Sequence, residues 1–241
     1  MPLRLLLVRH GLSSFNKERR IQGRDDLSNL SEEGHEQARA LGHSLQDVSI
    51  QAVYSSPLQR AAATTASLLE TQGGQAPDPV FDDGLLEVDL EPWSGQTIDE
   101  LMQGSTEAYK IWKQRPMELE LQRRDGSSYK PLPELMEQAQ DFISKLLERH
   151  PANGNDTVLV VAHNAILRCL MLVLLGEPDQ GFRRLRVDNT SLSVFNIRPG
   201  ENGPQVQIDC LNSTTHLQPL PEKGKNARLI LVRHGETDWN K

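Results

Sequence analysis

Two arginines and two histidines stand where buried parallel strands are predicted to end. Arg9 and His10 directly follow one apolar run, and His163 follows another. Arg60 lies in the first turn of the helix predicted after a third strand. Because the carboxyl ends of parallel strands meet at one edge of a sheet, these four side chains can converge on a single crevice. Two guanidiniums, two imidazoles and the free amides of a helix start suit a phosphate dianion.

A pocket of this kind can do chemistry as well as bind. An unprotonated imidazole nitrogen that faces a charge-compensated phosphorus is a nucleophile, and its attack gives a covalent phosphohistidine. The alkoxide that leaves needs a proton from an acid. The run from 84 to 91 supplies carboxyls, among which Glu87, between Leu86 and Val88, is the predicted proton donor and Glu91 is its competitor. After the transfer, the same carboxylate can take a proton from the attacking water.

These residues require a particular set of elements to position them. Strand and helix signals alternate along the chain, which predicts a parallel sheet with helices on its faces. The predicted strands cover 5–8, 50–54 and 157–162, and a later hairpin is predicted from 192–197 and 206–210. Two predicted helices cover 58–70 and 167–175. Two more are predicted from helical spacing, one through Ala38, Leu41 and Leu45 and one from Leu135 to Leu146. The carboxyl edge of this sheet is where the two arginines and two histidines are expected.

The stretch from Gln96 to Pro133 differs from the rest of the chain. It lacks clean periodicity, mixes basic with acidic residues and breaks at Asp125-Gly126, which favours an insertion over one end of the sheet. A solvated surface of mixed charge is the simpler alternative. We expect this insertion to hold the groups that recognise the non-phosphate part of a substrate.

A segment near the start of the chain recurs at its end. Residues 3–17 are matched by residues 227–241, including the triplet Arg-His-Gly. The separation is the size of a whole α/β domain, which predicts one domain over 1–220 and, over 221–241, a linker and the truncated start of a second domain. The repeated histidine, His234, lies in a fragment without a second arginine, a second histidine or an acid, so we expect it to be inert.

Composition and charge argue against several classes of partner. The 241 residues are 37% hydrophobic and 24% charged, which is ordinary for a globular protein with one large core. A net charge of −7 argues against nucleic acid or an anionic membrane surface as the main partner, since both attract broad basic faces. Neither a secretory signal nor a membrane span is expected, because the apolar runs are too short.

The two cysteines, Cys169 and Cys210, predict neither a disulfide framework nor a metal site. They are too few for a framework, and neither lies in a Cys/His ligand spacing. A reducing compartment, and so a cytoplasmic location, is favoured. A nucleotide-binding kinase-like domain has little support, because the chain contains no Gly-x-x-x-x-Gly-Lys-Ser/Thr loop.

Taken in order, the motifs resemble those of the histidine phosphatase superfamily, also called phosphoglycerate mutase-like. The matching motifs span nearly all of the first 216 residues and are Arg9-His10-Gly11, Asn16, Ser55-Ser56-Pro57-Leu58-Gln59-Arg60-Ala61, Leu86-Glu87, Trp93-Ser94-Gly95, Ala162-His163-Asn164, Leu211-Asn212 and His216-Leu217. The resemblance implies a three-layer α/β/α sandwich with a mostly parallel central sheet, and no required metal or other cofactor.

The resemblance also implies roles for six residues. By position, His10 would be the phosphorylated nucleophile and Glu87 the proton donor, and the phosphate would be held by Arg9, Asn16, Arg60 and His163. The implied partner is a small phosphorylated metabolite, while the oligomeric state stays open. Three other histidines in polar helical surroundings are expected to face solvent: His35, His43 and His150.

Position 12 departs from the family pattern. Family members commonly continue Arg-His-Gly with Glu-Thr, as the second copy does, whereas the first copy has Leu12 and Ser13. Loss of a carboxylate beside the nucleophile lowers the repulsion of a phosphate but also removes an orienting hydrogen bond. Three functions stay open: hydrolysis of a small phosphomonoester such as a sugar or sugar-acid phosphate, mutase-type phosphoryl transfer, and a noncatalytic phosphate sensor. The motif Trp93-Ser94-Gly95-Gln96 favours hydrolysis by analogy with the phosphatases of the family.

Overall fold

The computed structural model describes residues 2–74, 76–177, 181–201, 203–218 and 227–232. The α-helices in these ranges are α1 (Ser14–Glu18), α2 (Glu32–Ser44), α3 (Gln59–Thr71), α4 (Ile98–Gly104), α5 (Thr106–Gln114), α6 (Pro131–Arg149) and α7 (Asn164–Leu174). The strands are β1 (Leu3–Arg9), β2 (Ala52–Ser55), β3 (Val80–Phe81), β4 (Leu121–Gln122), β5 (Ser128–Tyr129), β6 (Thr157–Ala162), β7 (Leu192–Arg198) and β8 (Gln205–Ser213). None of these helices combines the length and the apolar character that crossing a bilayer requires.

Six strands form the central sheet in the order β3-β2-β6-β1-β7-β8. The four strands from β3 to β1 are parallel to their neighbours, whereas β7 and β8 pair antiparallel. In the register, Arg9 pairs with Ala162 and Ser55 pairs with Val161. The ends of β1, β2 and β6 therefore lie together at one edge of the sheet, where a shared crevice can form.

Helices cover both faces of the sheet because β1 is apolar on both sides. Leu5 and Leu7 belong to one buried cluster with residues of α6 and α7, and Leu6 and Val8 belong to another with residues of α2 and α3. Alternate side chains of a strand point to opposite faces, so such a run needs cover on both. The predicted three-layer fold with a mostly parallel sheet is confirmed.

The stretch from Gln96 to Pro133 is part of the domain core and not merely a solvated surface. It contains α4, α5 and the antiparallel pair of β4 and β5. Leu101, Tyr109 and Trp112 are buried and pack in the same cluster as α6 and α7. Exposed ion pairs between neighbouring residues account for much of its mixed charge. Its elements are too short for a periodic pattern to show in the sequence.

Two helices next to the predicted site begin at other residues than expected. α3 begins at Gln59, with Pro57 before its N-cap, and α7 begins at Asn164, directly after His163 and not at 167. His163 is the N-cap of α7 but makes no side-chain capping bond. None of the usual capping signals therefore marks this start in the sequence.

Two of the three histidines predicted to face solvent are partly buried. His35 Nδ1 lies 2.7 Å from a serine hydroxyl of α3. His150 lies between Tyr54 and Asp156, with ring nitrogens 3.0 and 2.8 Å from their oxygens. His43 is exposed, as predicted. Polar neighbours in the sequence do not indicate exposure where another element packs against that helix face.

The repeated segment at the end of the chain is described only in part. Residues 227–232 are exposed and lie outside the strands of the central sheet. Residues 221–226 and His234 fall outside the described residues. The domain boundary at 220 and the inert second histidine therefore stay predictions.

Candidate active site

The two histidines predicted to share a crevice lie side by side. The backbone amide of His10, which follows β1, donates to the carbonyl of Ala162 at the end of β6 over 2.9 Å. The ring centroids of His10 and His163 are 5.2 Å apart, and their planes are inclined by 58°. Both side chains are buried. The register of two parallel strands thus brings these imidazoles together from distant parts of the sequence.

The backbone determines which ring nitrogen of His10 is free. Nδ1 lies 2.8 Å from the carbonyl oxygen of Gly11, and because a carbonyl can only accept, Nδ1 carries the proton. Burial, and then the charges of Arg9 and Arg60, hold the pKa of His10 well below its usual value. At neutral pH the ring is therefore neutral and its Nε2 is unprotonated. A nucleophilic histidine requires this state.

A serine hydroxyl orients the ring of His163. Ser56 Oγ lies 2.7 Å from His163 Nε2 and accepts a hydrogen bond from the Leu58 amide at 3.4 Å. With Leu58 donating to it, Ser56 Oγ has Nε2 as the described acceptor for its own proton, and a bond in that direction places the proton of the neutral ring on Nδ1. Burial, and then the charge of Arg60, hold the pKa of His163 well below its usual value. His163 Nδ1 is buried without a partner among the described residues, so its N–H is free to donate to an anion.

Both arginines are held by backbone carbonyls and form no ion pair with a described carboxylate. Arg60 is fully buried and donates to the carbonyls of Asp25 and Gly23 at 2.9 and 2.8 Å. Arg9 donates to the carbonyl of Val187 at 2.9 Å. The Nε of each is buried without a hydrogen-bond partner in the described part of the chain. Burial lowers the pKa of Arg60 and lowers that of Arg9 to about 10, so a bound anion would stabilise both charges.

The carboxyl of Glu87 lies at the start of α7. Its oxygens accept hydrogen bonds of 3.0 to 3.1 Å from the amides of Ala165 and Ile166. It supplies the capping group that the local sequence lacks, and a carboxylate is favourable at this end of a helix. Glu91, the competing candidate, pairs instead with Arg124. The geometry therefore brings Glu87, and not Glu91, next to the helix that follows the second histidine.

Asn16 belongs to the hydrogen-bond network that holds the loop of His10. Its Oδ1 accepts from Ser13 Oγ and from Asn189 Nδ2, both at 3.1 Å. Asn189 Nδ2 also lies 3.0 Å from the carbonyls of His10 and Gly11, to which it donates. Because Oδ1 is occupied, the amide N–H groups of Asn16 are the ones left to contact an anion.

Three further residues support the site and received no role from the sequence. Thr64 Oγ1 accepts from the Gly11 amide at 2.9 Å and donates to the Arg60 carbonyl at 2.6 Å, which ties the loop after β1 to α3. Ser56 lies within the motif Ser55-Ser56-Pro57, so its place near the site could be predicted from the sequence. Thr64 and Asn189 have no local signal, because they act on residues that are distant in sequence.

The loop after His10 is anchored without an acid at position 12. The Leu12 amide donates to Gln37 Oε1 at 3.0 Å. Its carbonyl accepts from the amide and the hydroxyl of Ser31 at 2.9 and 2.7 Å. These bonds involve only the backbone of Leu12, so the replacement of a glutamate leaves them intact.

Comparison with known proteins assigns the chain to a family. A sequence profile of the histidine phosphatase superfamily (branch 1) matches residues 5–209. The chain belongs to this superfamily. A probable 2-carboxy-D-arabinitol-1-phosphatase of Arabidopsis thaliana is 33% identical to this chain over 240 residues, which are 97% of the chain and 47% of the relative. Phosphoserine phosphatase 1 of Hydrogenobacter thermophilus is 32% identical over 215 residues, 89% of the chain and 94% of the relative.

The fold of a solved structure agrees with this assignment. YhfR of Bacillus stearothermophilus superposes with a TM-score of 0.75 at 29% identity, over 88% of this chain and 98% of that one. The chain spans about half the length of the Arabidopsis relative. Other relatives carry the name of a probable phosphoglycerate mutase. The family predicted from the motifs is confirmed.

The described residues contain no group of three or more histidine, cysteine or acidic side chains arranged to hold a metal ion. Both cysteines are free thiols. Burial raises the pKa of the Cys169 thiol, as expected for an unreactive side chain packed in α7.

Proposed function

We propose that this histidine phosphatase is a phosphomonoesterase that hydrolyses a small phosphorylated metabolite through a phosphohistidine on His10. One observation carries the proposal: the neutral ring, bonded through Nδ1 to a carbonyl, presents an unprotonated Nε2 near two arginines that form no ion pair with a described carboxylate. Guanidiniums that bind phosphate oxygens compensate the charge that would repel a nucleophile. The phosphatase names of two relatives support the same reaction class.

The first step transfers the phosphoryl group to the protein. Arg9, Arg60 and the Nδ1–H of His163 bind the nonbridging oxygens. His10 Nε2 attacks phosphorus, so that a P–N bond forms and the P–O bond to the leaving alkoxide breaks. The carboxyl of Glu87 gives a proton to the alkoxide, which leaves as an alcohol, and Glu87 is left as a carboxylate.

The second step hydrolyses the phosphohistidine. Water attacks phosphorus and gives a proton to the Glu87 carboxylate, while the P–N bond breaks and inorganic phosphate is released. The ring of His10 is positively charged while it carries the phosphoryl group. The Gly11 carbonyl, which accepts from Nδ1, stabilises that charge in the way an acceptor stabilises an imidazolium in acyl transfer.

The substrate is proposed to be a small phosphorylated metabolite. Sugar and sugar-acid phosphates are the first to test, because the Arabidopsis relative is named for 2-carboxy-D-arabinitol 1-phosphate. Phosphoserine is the second, because the Hydrogenobacter relative is named as a phosphoserine phosphatase.

Mutase-type transfer is an alternative, since a phosphohistidine can pass its phosphoryl group to a second hydroxyl instead of to water. The purified protein is incubated with a panel of sugar phosphates and phosphoserine, and separately with 3-phosphoglycerate plus 2,3-bisphosphoglycerate. We expect phosphate release to exceed isomerisation. Isomerisation faster than phosphate release contradicts the proposed hydrolysis.

A noncatalytic phosphate sensor is the other alternative, and Leu12 in place of the common glutamate is the feature that favours it. A His10→Ala variant separates the two. We expect its turnover to fall by about 10³-fold or more, as for the loss of a covalent nucleophile. Phosphate binding without an acid-labile phosphohistidine, together with no turnover in either the unmodified chain or the variant, supports the sensor.

A further inference from the structure

A cationic cavity opens beside Glu87. It has a volume of about 180 Å³, and its walls include Glu87, Trp112, Arg168, Phe182 and Arg183. A water molecule takes about 30 Å³, so the cavity has room for about six waters or one small organic group. Because Glu87 is the proposed proton donor to the leaving alkoxide, the group esterified to the phosphate extends toward this cavity.

Arg168 lines the cavity near Glu87 and forms no ion pair with a described carboxylate. It lies on α7, and its Nε is buried with no hydrogen-bond partner in the described part of the chain. Its guanidinium lies over the ring of Phe182, 5.3 Å from the centroid. Burial lowers its pKa. A guanidinium stacked on a ring keeps its in-plane N–H donors for a planar anion.

Arg183 brings a second guanidinium to the same place. It packs on the rings of Trp112 and Phe182, at 4.7 and 5.1 Å from their centroids, and donates to the Trp112 carbonyl. Burial, and then the neighbouring Arg168, lower the pKa of Arg183 to about 10. Burial, and then Arg183, also lower the pKa of Lys113. These like charges destabilise one another, so an anion bound among them would be favoured.

The other charged groups of the cavity wall already have partners. Glu87 is the only acid of that wall among the described residues, and its oxygens accept from the amides of α7. Arg20 pairs with Glu18 at 2.6 Å and donates to the Gly95 carbonyl at 2.7 Å. Arg168 and Arg183 are therefore the cations left to meet a ligand.

We propose that Arg168 and Arg183 bind a carboxylate of the substrate, so that the preferred substrate is a small phosphorylated carboxylic acid. The proposal rests on the proposed function, because it places the leaving group of a phosphoester in this cavity. Two planar guanidiniums match the two oxygens of a carboxylate. From the sequence, the groups that recognise the non-phosphate part of the substrate are expected in the insertion 96–133. Of the residues named here as walls of the cavity, only Trp112 belongs to that insertion.

Substrate pairs that differ at the carboxylate test the proposal. O-Phosphoserine is compared with phosphoethanolamine, and 3-phosphoglycerate with glycerol 3-phosphate. In the unmodified chain we expect kcat/KM to be about 100-fold higher for the carboxylated member of at least one pair, because a site built for a hydrogen-bonding group rejects an analogue that lacks it.

The arginine variants then locate the effect. In Arg168→Gln and Arg183→Gln, we expect kcat/KM for the carboxylated member to fall about tenfold to hundredfold, the range for bonds to charged groups. For the member of the pair without a carboxylate, kcat/KM should change less than about threefold. Arg115→Gln is the matched control, because Arg115 is exposed and pairs with Glu118 outside this cavity.

Hydrolysis of p-nitrophenyl phosphate separates failure of this proposal from failure of the proposed function. If the chain hydrolyses it through His10 but prefers neither carboxylated substrate, the carboxylate site is contradicted and the phosphatase stands. An equal loss of both members of a pair in variants of unchanged Tm contradicts it as well. A third outcome is a preference for fructose 1,6-bisphosphate over fructose 6-phosphate that is lost in the Arg168 and Arg183 variants. That outcome contradicts the carboxylate and shows that the two arginines bind a second phosphate of the substrate. If no ester is hydrolysed, both proposals fail.

Discussion

At the scale of single residues, the candidate site depends on where two protons lie. His10 donates from Nδ1 to the Gly11 carbonyl, and we assign the bond between Ser56 and His163 as the hydroxyl donating to Nε2. Each bond leaves the opposite ring nitrogen for a phosphate. The residue types could be predicted from the motifs. The proton positions could not, because the serine comes next to its ring only through the register of β2 with β6.

Replacement of Ser56 by alanine tests this arrangement of protons. Without the hydroxyl, the proton of His163 is free to move to Nε2, and Nδ1 then no longer donates to the phosphate. We expect kcat to fall by about tenfold to hundredfold, somewhat less than for the loss of a whole transition-state donor. Phosphate release measured at saturating ester checks this prediction.

Ser55→Ala is the matched control for that variant. Ser55 is equally buried, but its hydroxyl donates to the Ser56 carbonyl and accepts from Thr65. We expect kcat to stay within about threefold, since no bond to either histidine is lost. Equal losses in the two variants would show that the serine pair acts through stability and not through the ring.

At the scale of elements, the loop after β1 is packed directly against the start of α2. A Cβ on Gly11 would lie 2.5 Å from the carbonyl oxygen of Gly34. A Cβ on Gly34 would lie 2.3 Å from the carbonyl oxygen of Leu12. Both distances are far shorter than a carbon–oxygen contact, so the loop that carries His10 needs glycine on both sides.

Gly34→Ala is expected to destabilise the fold and displace the nucleophile together. The clash is with backbone, so we expect the free energy of unfolding to fall by about 1–3 kcal/mol. Activity should fall as well, because a shift of His10 misaligns its attack. Urea unfolding and phosphate release measure the two effects.

Gly104→Ala is the contrasting substitution. Gly104 ends α4, and an added Cβ there would meet no atom within 4 Å. We expect no loss of stability, a gain of up to about 1 kcal/mol, and unchanged activity. If Gly34→Ala left stability and activity as unchanged as Gly104→Ala does, that result would contradict the close approach of the loop to α2.

The apolar strands of this fold could be predicted from local patterns, and the start of α7 could not. The apolar run 157–162 is observed as β6 with the same bounds. The start of α7 was misplaced because its capping carboxylate, Glu87, comes from a distant loop. The helices and strands within 96–133 could not be predicted, because each is too short to show a periodic pattern. Local patterns thus predict elements that local contacts determine, and they miss those that depend on remote partners.

At the scale of the whole molecule, burial of neutral imidazoles makes folding sensitive to acid. Burial is the largest cause of a lowered pKa in His10, His163 and His216, and the pKa of His216 is about 4. When the pH falls below 6.5, the ordinary pKa of histidine, these side chains take up protons in the unfolded chain but not in the native chain. The contribution of these histidines is therefore fully present above that value and is lost as the pH falls toward about 4.

His216→Gln tests this dependence outside the proposed phosphate pocket. His216 Nε2 lies 3.1 Å from Thr190 Oγ1, a bond that an amide can replace. We expect the loss of unfolding free energy between pH 7.5 and pH 5.5 to be smaller than in the unmodified chain, by less than about 1 kcal/mol because His216 is partly exposed to solvent. Urea unfolding at the two pH values measures it.

The exposed His43 provides the control, since its ring is in water in both states. His43→Gln should leave the pH dependence unchanged. An identical pH dependence in His216→Gln and in the unmodified chain would contradict the lowered pKa of His216.

The central claim is that His10 carries the phosphoryl group during turnover, and rapid-quench labelling tests it most directly. The chain is mixed with a ³²P-labelled phosphoester that it hydrolyses, quenched in alkali within milliseconds, and digested for mass spectrometry. The account predicts an acid-labile phosphoryl group on His10 that forms and decays at the rate of turnover and is absent from His10→Ala. Label on another residue, or full turnover without label on His10, would contradict it.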